Sequence, residues 1–176
     1  MSTEYRLART IIGKPVISVS QGQRLNKVED LYIDADANRV EALYLGTEGG
    51  LFNRKRHHIA FTHVDVVGVD VVLVSANDVV ERDDETPAAA NWRRLDKLVG
   101  RRVDTTGGTP IGKVSDAVLD GVGNIIGFRL SDISVAGPVA DNKAVSREAI
   151  VDLGEEDGAM TIDMRRAEEQ ALTINP

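Results

Sequence analysis

The sequence predicts an all-β chain: two small antiparallel β-barrels in tandem, of about six strands each, with a short C-terminal helix. Three observations predict it. Short Val-rich segments are punctuated by Gly, which favours strands over helices. Aromatic residues make up only 4% of a chain that is 42% hydrophobic, so the core must be aliphatic. Most tellingly, one pattern occurs twice. Lys27-Val28-Glu29-Asp30 runs through apolar residues to Asp34, and Lys113-Val114-Ser115-Asp116 runs in the same way to Asp120, each position 86 residues after its counterpart.

The elements follow in order. Ile11-Ile12-Gly13-Lys14-Pro15-Val16 is echoed 87 residues later by Leu98-Val99-Gly100-Arg101-Arg102-Val103, and each opens a first strand. Pro15 is tolerable at a strand start, where it removes only an edge donor. Gln21-Gly22-Gln23 and Thr106-Gly107-Gly108-Thr109 are turns. The second strands, 28–33 and 114–119, carry apolar residues of mixed parity, so either both faces are partly buried or a bulge shifts the phase. Asp34-Ala35-Asp36-Ala37-Asn38 and Asp120-Gly121-Val122-Gly123-Asn124 are hairpin turns, since Asp, Asn and Gly suit left-handed positions and local side-chain bonds. Third strands occupy 40–45 and 125–130. Long connections follow at 47–57, rich in Gly and basic residues, and at 131–142. Short strands at 59–61 and 144–145, 64–67 and 149–151, and 71–74 and 159–162 complete each half, with no helix inside either.

These limits give domain 1 at 1–75, an acidic, poorly packing linker at 76–91, domain 2 at 92–163 and a tail at 164–176 of helical composition. Each half is small enough for one core to leave only marginal stability, and packing of the halves or homodimerisation would add to it.

The Gly-basic-x-Val opening, the Gly-Lys-Val-x-Asp-x-x-x-Asp strand and the Asn/Gly turn into Ile-x-Gly-Phe together resemble the PRC-barrel family, over roughly 7–75 and 93–163. That β-barrel module occurs in the cytoplasmic part of the photosynthetic reaction centre H subunit, in the ribosome maturation factor RimM and in small stand-alone proteins. The second half fits the pattern better. In the first, Leu25-Asn26 replaces Ile111-Gly112, and Glu41 stands where Gly127 does. The resemblance implies a binding and assembly module rather than an enzyme. The expected activity is that of a non-catalytic adaptor for a protein partner: a ribosomal, cell-division or membrane complex. The alternative is a small-ligand, metal or polyanion-binding stress or regulatory protein.

Charge and composition narrow the options. The formal net charge is −7, spread evenly: 10 basic and 14 acidic residues before Asn91, and 11 and 14 from there on. Nucleic acid is therefore disfavoured as a general partner. Without Cys, disulfides, thiolate catalysis and thiolate-bound zinc are excluded. The polar N-terminus lacks an apolar signal core, and no run approaches the ~20 apolar residues that cross a bilayer. The expectation is a cytoplasmic protein, with peripheral membrane contact left open.

Arg54-Lys55-Arg56-His57-His58 is the sharpest local feature and the candidate partner-binding segment, read as a basic loop. No aromatic pattern accompanies it in the way a single-strand binder needs. His57, His58 and His63 are the only histidines, and their spacing does not suggest a metal site; no metal or cofactor is expected. Asp30 and Asp116, and Asp34 and Asp120, are paired carboxylates, but their presence in both copies favours a structural role, above all at the two turns. Thr106 to Gly112 leads into a strand and lacks the phosphate-loop Lys-Ser/Thr. Trp92 is expected to pack across the domain boundary or to plug one barrel end.

Overall fold

The computed structural model describes residues 5–174. Sixteen strands occur among them: β1 Arg6–Leu7, β2 Pro15–Ser18, β3 Arg24–Lys27, β4 Asp30–Ile33, β5 Val40–Glu48, β6 Lys55–Ala60, β7 Val64–Val67, β8 Val72–Val74, β9 Val80–Arg82, β10 Arg93–Arg94, β11 Arg102–Thr105, β12 Pro110–Leu119, β13 Ile125–Ser131, β14 Ala144–Ser146, β15 Ile150–Asp152 and β16 Met160–Ile162. Two short helices accompany them, α1 Pro138–Asn142 and α2 Met164–Glu169. The chain is all-β, with the C-terminal helix where the composition of 164–172 places it. Asp163 caps that helix by accepting the Arg166 amide. α1 is the one helix the sequence reading does not anticipate; Pro138 starts it, and Lys143 ends it in a left-handed conformation.

The chain divides into two compact units. The first-repeat unit comprises residues 9–35 and 39–95. The second-repeat unit comprises 96–174, the hairpin tip 36–38 and the lead-in up to residue 8. Each repeat's leading strand is thus built into the other repeat's unit. β1 pairs with β12, and β10 pairs with β4 at the equivalent register: Arg6 faces Leu119, as Arg93 faces Ile33.

The repeat visible in the sequence recurs as a repeat of register. β2 pairs in parallel with β8, Val16 opposite Val72, and β11 pairs in parallel with β16, Val103 opposite Met160. These parallel pairs depart from the purely antiparallel expectation. They are allowed because more than fifty residues of chain separate their members, well beyond the minimum for a parallel crossover. The hydrogen-bonded ladders form three open sheets rather than closed cylinders: β14-β13-β12-β11-β16-β15, with β1 also on β12, in the second-repeat unit, and β10-β4-β5-β6-β9 and β3-β2-β8-β7 in the first.

One local difference divides the first repeat's strands into two sheets. β12 runs unbroken past a register shift between Val114 and Asp116. Its counterpart breaks at Val28-Glu29 into β3 and β4. Both bends are fixed by the same two backbone bonds. Gly13 N–H donates to Val28 O at 2.7 Å and Val28 N–H to Lys14 O at 2.9 Å, while Gly100 and Val114 repeat this with Val114 and Arg101 at 2.7 and 2.9 Å. The mixed parity of the apolar residues is the sequence trace of this bend. Gly13 and Gly100 hold φ of +90° and +86° there, which an L side chain rarely adopts.

The basic residue after each of these glycines has a structural task. Lys14 Nζ donates to Gly68 O at 2.6 Å. The buried Arg101 guanidinium donates to Leu153 O, Gly154 O and Lys97 O at 2.7, 2.6 and 3.2 Å. Each cation secures the turn before the last strand of its repeat. The cores around these bends are aliphatic, as expected: Ile11, Val16, Val28, Leu31, Ile33, Leu43 and Ile59 in the first unit, and Leu98, Val103, Ile111, Leu119, Met160 and Ile162 around Phe128 in the second.

Two further readings change. Tyr32 faces Ala42 as Val118 faces Gly127, so Ala42, not Glu41, is the counterpart of Gly127. A Cβ at Gly127 would collide with the Val145 carbonyl, so the β14 backbone approaches more closely than Ala would allow. Residues 76–91 are folded rather than a solvated connection. β9 is the edge strand beside β6, Val79 is buried, and 3-10 turns at Asn77–Val79, Asp83–Glu85 and Pro87–Asn91 flank it.

Arg101→Met is expected to destabilise the protein by about 2 kcal/mol, because it strips three carbonyls of a charged donor. Lys14→Met, which takes the charged donor from Gly68 O, should also destabilise the protein; urea denaturation followed by circular dichroism measures both. At the second hairpin, Asp120 Oδ1 accepts the Val122 and Asn124 amides at 3.0 and 2.9 Å, and Oδ2 accepts from the Asn124 side chain at 2.8 Å. Burial by itself raises this carboxyl's pKa, but the bonds from Asn124, Val122 and Gly123 outweigh it and hold the pKa below its ordinary value. A lowered folded-state pKa gives stability that is present above the unfolded-state value and lost as pH falls through the folded one. The stability gap between wild type and Asp120→Ala should therefore be full at neutral pH and shrink on acidification. A gap independent of pH in urea titrations would contradict this.

Candidate functional site

The five-stranded sheet of the first-repeat unit places an unusual row of side chains on one face. Its register sets Asp30 opposite Tyr44, Tyr44 opposite His58 and His58 opposite Glu81. Two residues further along, Arg94, Tyr32, Ala42 and Ala60 form the parallel row. Since strand residues two apart share a face, both rows lie on the same side. The opposite side carries Leu31, Ile33, Leu43 and Ile59 and faces the core.

The segment after β9 covers the polar face. Asp83 descends onto it and accepts two bonds, from the Tyr32 hydroxyl to Oδ2 at 2.5 Å and from His58 Nδ1 to Oδ1 at 2.8 Å. A carboxylate only accepts, so Nδ1 is the donating nitrogen. Trp92 stands edge-on to the His58 ring, with centroids 5.1 Å apart and planes at 87°, and its ring centroid is 5.7 Å from that of Tyr32. Tyr32 and Tyr44 meet edge to face at 5.3 Å. Arg94 lies 4.5 Å over the Tyr44 ring and donates to Asp30 Oδ2 at 2.9 Å.

Apart from His58 Nε2, the polar atoms that meet here bond within the cluster. Burial, and after it Asp83, push the Tyr32 phenol well above its ordinary pKa, with Arg56 partly offsetting them. Tyr32 thus stays a neutral donor. His58 is 0% exposed, with Nε2 lying 3.6 Å from Glu81 Oε2, too far for a hydrogen bond.

The sequence-predicted segment meets this site from one side, as a strand rather than a loop. Arg54 precedes β6 and is exposed. Lys55 is in β6, with Nζ 2.5 Å from Asp84 Oδ2, and Arg56 is exposed. His57 is half-buried; His58 is wholly buried, where a partner does not reach it. Arg82 joins Lys55 on Asp84 and also pairs with Glu85 at 2.9 Å. Arg82, then Lys55, hold the Asp84 carboxyl well below the usual carboxylate range. Beside this network an open cleft of about 530 Å³ is lined by Arg54, Lys55, Arg56, Asp83, Asp84, Thr86, Pro87, Ala89 and Ala90. Its cations and carboxylates largely offset one another.

His63 sits apart in the 3-10 turn Phe61–His63, and among the described residues no three His, Asp or Glu side chains gather as a metal site would need. Asp30 and Asp116 are both 2% exposed and accept the next residue's amide at 2.8 Å; Asp34 accepts the Arg39 amide across its turn. These carboxylates hold backbone, as their repetition suggests. Trp92 covers the sheet face of its own unit.

The sequence reading misses Leu51 and Phe52. β4 pairs with β5 only as far as Tyr44, and β9 meets β6 only from His57 inward. In the ladders Thr47–Arg56 and Glu48–Lys55 pair with each other alone, so residues 47–56 run past the paired ends of β4 and β9 as a two-stranded arm, with Lys55 held to Asp84 at its base. At its tip Leu51 is 79% and Phe52 98% exposed. Gly49 shapes the tip with φ of +116°; a Cβ there would collide with the Asn53 carbonyl. The available signal was an apolar pair between Gly49-Gly50 and Asn53, in a stretch whose basic residues drew attention first.

Geometry thus defines a class: a repeated all-β chain whose buried ionisable groups mostly hold backbone or one another and whose unusual surface is a projecting arm. The family comparison bears on the first repeat. The model of the PRC-barrel domain family matches residues 4–80. No curated protein matches the chain in sequence. Among the described residues no helix is long and apolar enough to cross a membrane.

Asp83→Ala should destabilise the first-repeat unit by about 2–3 kcal/mol, since it orphans the buried Tyr32 hydroxyl and His58 Nδ1 together. Tyr32→Phe should cost about 1 kcal/mol and, combined with Asp83→Ala, add far less than its own cost. Urea denaturation followed by Trp92 emission reads this unit, because Trp92 is the only Trp and lies against both partners.

Proposed function

We propose that the protein is a non-catalytic adaptor built from two PRC-barrel modules in tandem, working in the cytoplasm by binding a partner complex. The family match over 4–80 supports the first module. The second rests on the repeated register, bend and cation-carbonyl contact of 96–162. Absence of catalysis is inferred from chemistry: Tyr32, His58 and Asp83 are committed to one another beneath Trp92.

The observation that carries the adaptor reading is the arm at 47–56. The second repeat forms the same framework while its connection, 131–142, contains the short helix α1 in place of an arm. The framework therefore does not require the arm, and its exposed Leu51 and Phe52 gain nothing from folding. Arg54 and Arg56 are the members of the predicted basic segment that remain exposed beside them.

Replacing 49–54 by Asn-Gly, a favoured two-residue hairpin turn that joins the Glu48–Lys55 pair directly, should leave the fold intact and abolish capture of the partner from native extract. Equal capture by wild type and the shortened arm, or capture of nothing but the protein itself, would refute the adaptor reading.

A further inference from the structure

We infer that the tip of the β5–β6 arm is a membrane-surface anchor, with Leu51 and Phe52 entering the acyl boundary of an anionic leaflet and Arg54 and Arg56 meeting lipid phosphates. This deepens the adaptor reading by naming the surface at which the partner complex is met, and it rests on that reading in assigning the arm a binding role.

The layering of the arm carries the inference. The two apolar side chains occupy its extreme end. Arg54 follows Phe52 by two residues, and Arg56 lies a further two strand residues back, about 7 Å deeper along the arm. Interfacial elements bury their apolar part about 5–10 Å into the boundary between headgroups and chains, with Lys or Arg at the level of the headgroups. The arm presents that order of chemistry along one axis.

Charge points the same way. Residues 47–56 carry Arg54, Lys55 and Arg56 against Glu48, and with Lys55 neutralised by Asp84 the exposed cations next to the tip are Arg54 and Arg56, in a chain of net −7. Lys55 is tied to Asp84, and Arg56 is shared with the Tyr32 phenol, so Arg54 is the cation most available to a phosphate. Acidic groups farther than about 8 Å are screened at physiological ionic strength, and the nearer Asp83 and Asp84 are engaged by Tyr32, His58, Lys55 and Arg82.

Shape separates a bilayer from a protein pocket. Leu51 and Phe52 protrude and do not line the neighbouring cleft of residues 54–56 and 83–90. A bilayer accepts a convex apolar tip without a preformed cavity. A protein partner would need a matching apolar pocket rimmed by carboxylates.

The test is co-sedimentation of the full chain with vesicles of phosphatidylcholine containing phosphatidylserine, against vesicles of phosphatidylcholine alone. Wild type should bind the anionic vesicles more tightly and be released by salt. Phe52→Ser should weaken binding at least about tenfold, as expected for losing a buried aromatic side chain. Arg54→Gln should weaken it about fivefold. Because both positions are exposed, circular dichroism and Trp92 emission should match wild type, so lost binding reports the tip and not unfolding. Wild type that ignores both vesicles, or binding unchanged in Phe52→Ser, overturns the proposal. If vesicles are ignored while capture of a protein partner still depends on the arm, the adaptor reading stands and the lipid assignment falls. If neither depends on the arm, both fall.

Discussion

The bend held by Gly13 and Val28, and again by Gly100 and Val114, is the constraint on which the rest of the structure depends. Two backbone bonds at each site fix where a long strand changes direction. In the second repeat the strand absorbs the bend as a bulge and stays in one sheet. In the first it breaks, and β4, β5 and β6 form a sheet of their own with β9 and β10 as edges. That break leaves one face of the sheet looking away from the core. An uncovered face of this kind with Tyr32, Tyr44 and His58 on it would be an exposed aromatic patch, which soluble proteins rarely keep without purpose.

The cover over this face explains the chemistry beneath it. Residues 83–92 carry Asp83 and Trp92 onto the sheet. A buried imidazole and phenol are costly unless bonded, and one carboxylate serves both. The same acidic run supplies Asp84 and Glu85 to Arg82, and Asp84 also to Lys55. These outer pairs are largely solvated and add little stability. What they do is neutralise the side of the cleft next to Arg54, leaving the net positive charge of the arm concentrated toward its tip.

Much of this architecture is legible in the sequence because the repeat makes weak signals confirm one another. A Gly followed by a basic residue and a Val is commonplace once. Twice, at matching offsets, it marks a bend and the cation that holds the last turn. The Asp-rich hairpins and most strand positions are readable for the same reason. Long-range facts are not readable in this way. The parallel β2–β8 and β11–β16 pairs join residues more than fifty apart, and no local pattern specifies them. The one-residue offset at the hairpin made Glu41 look equivalent to Gly127 until register placed Ala42 there. The 76–91 run reads as a linker because its charges are plain in the sequence, whereas the partners that fold it, Tyr32, His58 and Lys55, lie far away along the chain.

The basic segment shows how composition and position divide. Arg54 to His58 stands out by charge, and the eye reads five adjacent polar residues as one surface. A strand distributes them differently: successive side chains alternate between faces, and burial rises from the arm toward the sheet. One end of the run is therefore solvent and the other is core. His58 belongs to the scaffold, Arg54 to the surface, and the residues between them join the two. The repeat then separates framework from addition. Where both copies share a feature, as with Asp30 and Asp116 or Lys14 and Arg101, folding accounts for it. Leu51 and Phe52 have no counterpart in the second copy, are not buried by their own chain, and are held in place by a glycine whose backbone a side chain would not permit. Folding does not explain them, so their explanation lies in what the arm touches.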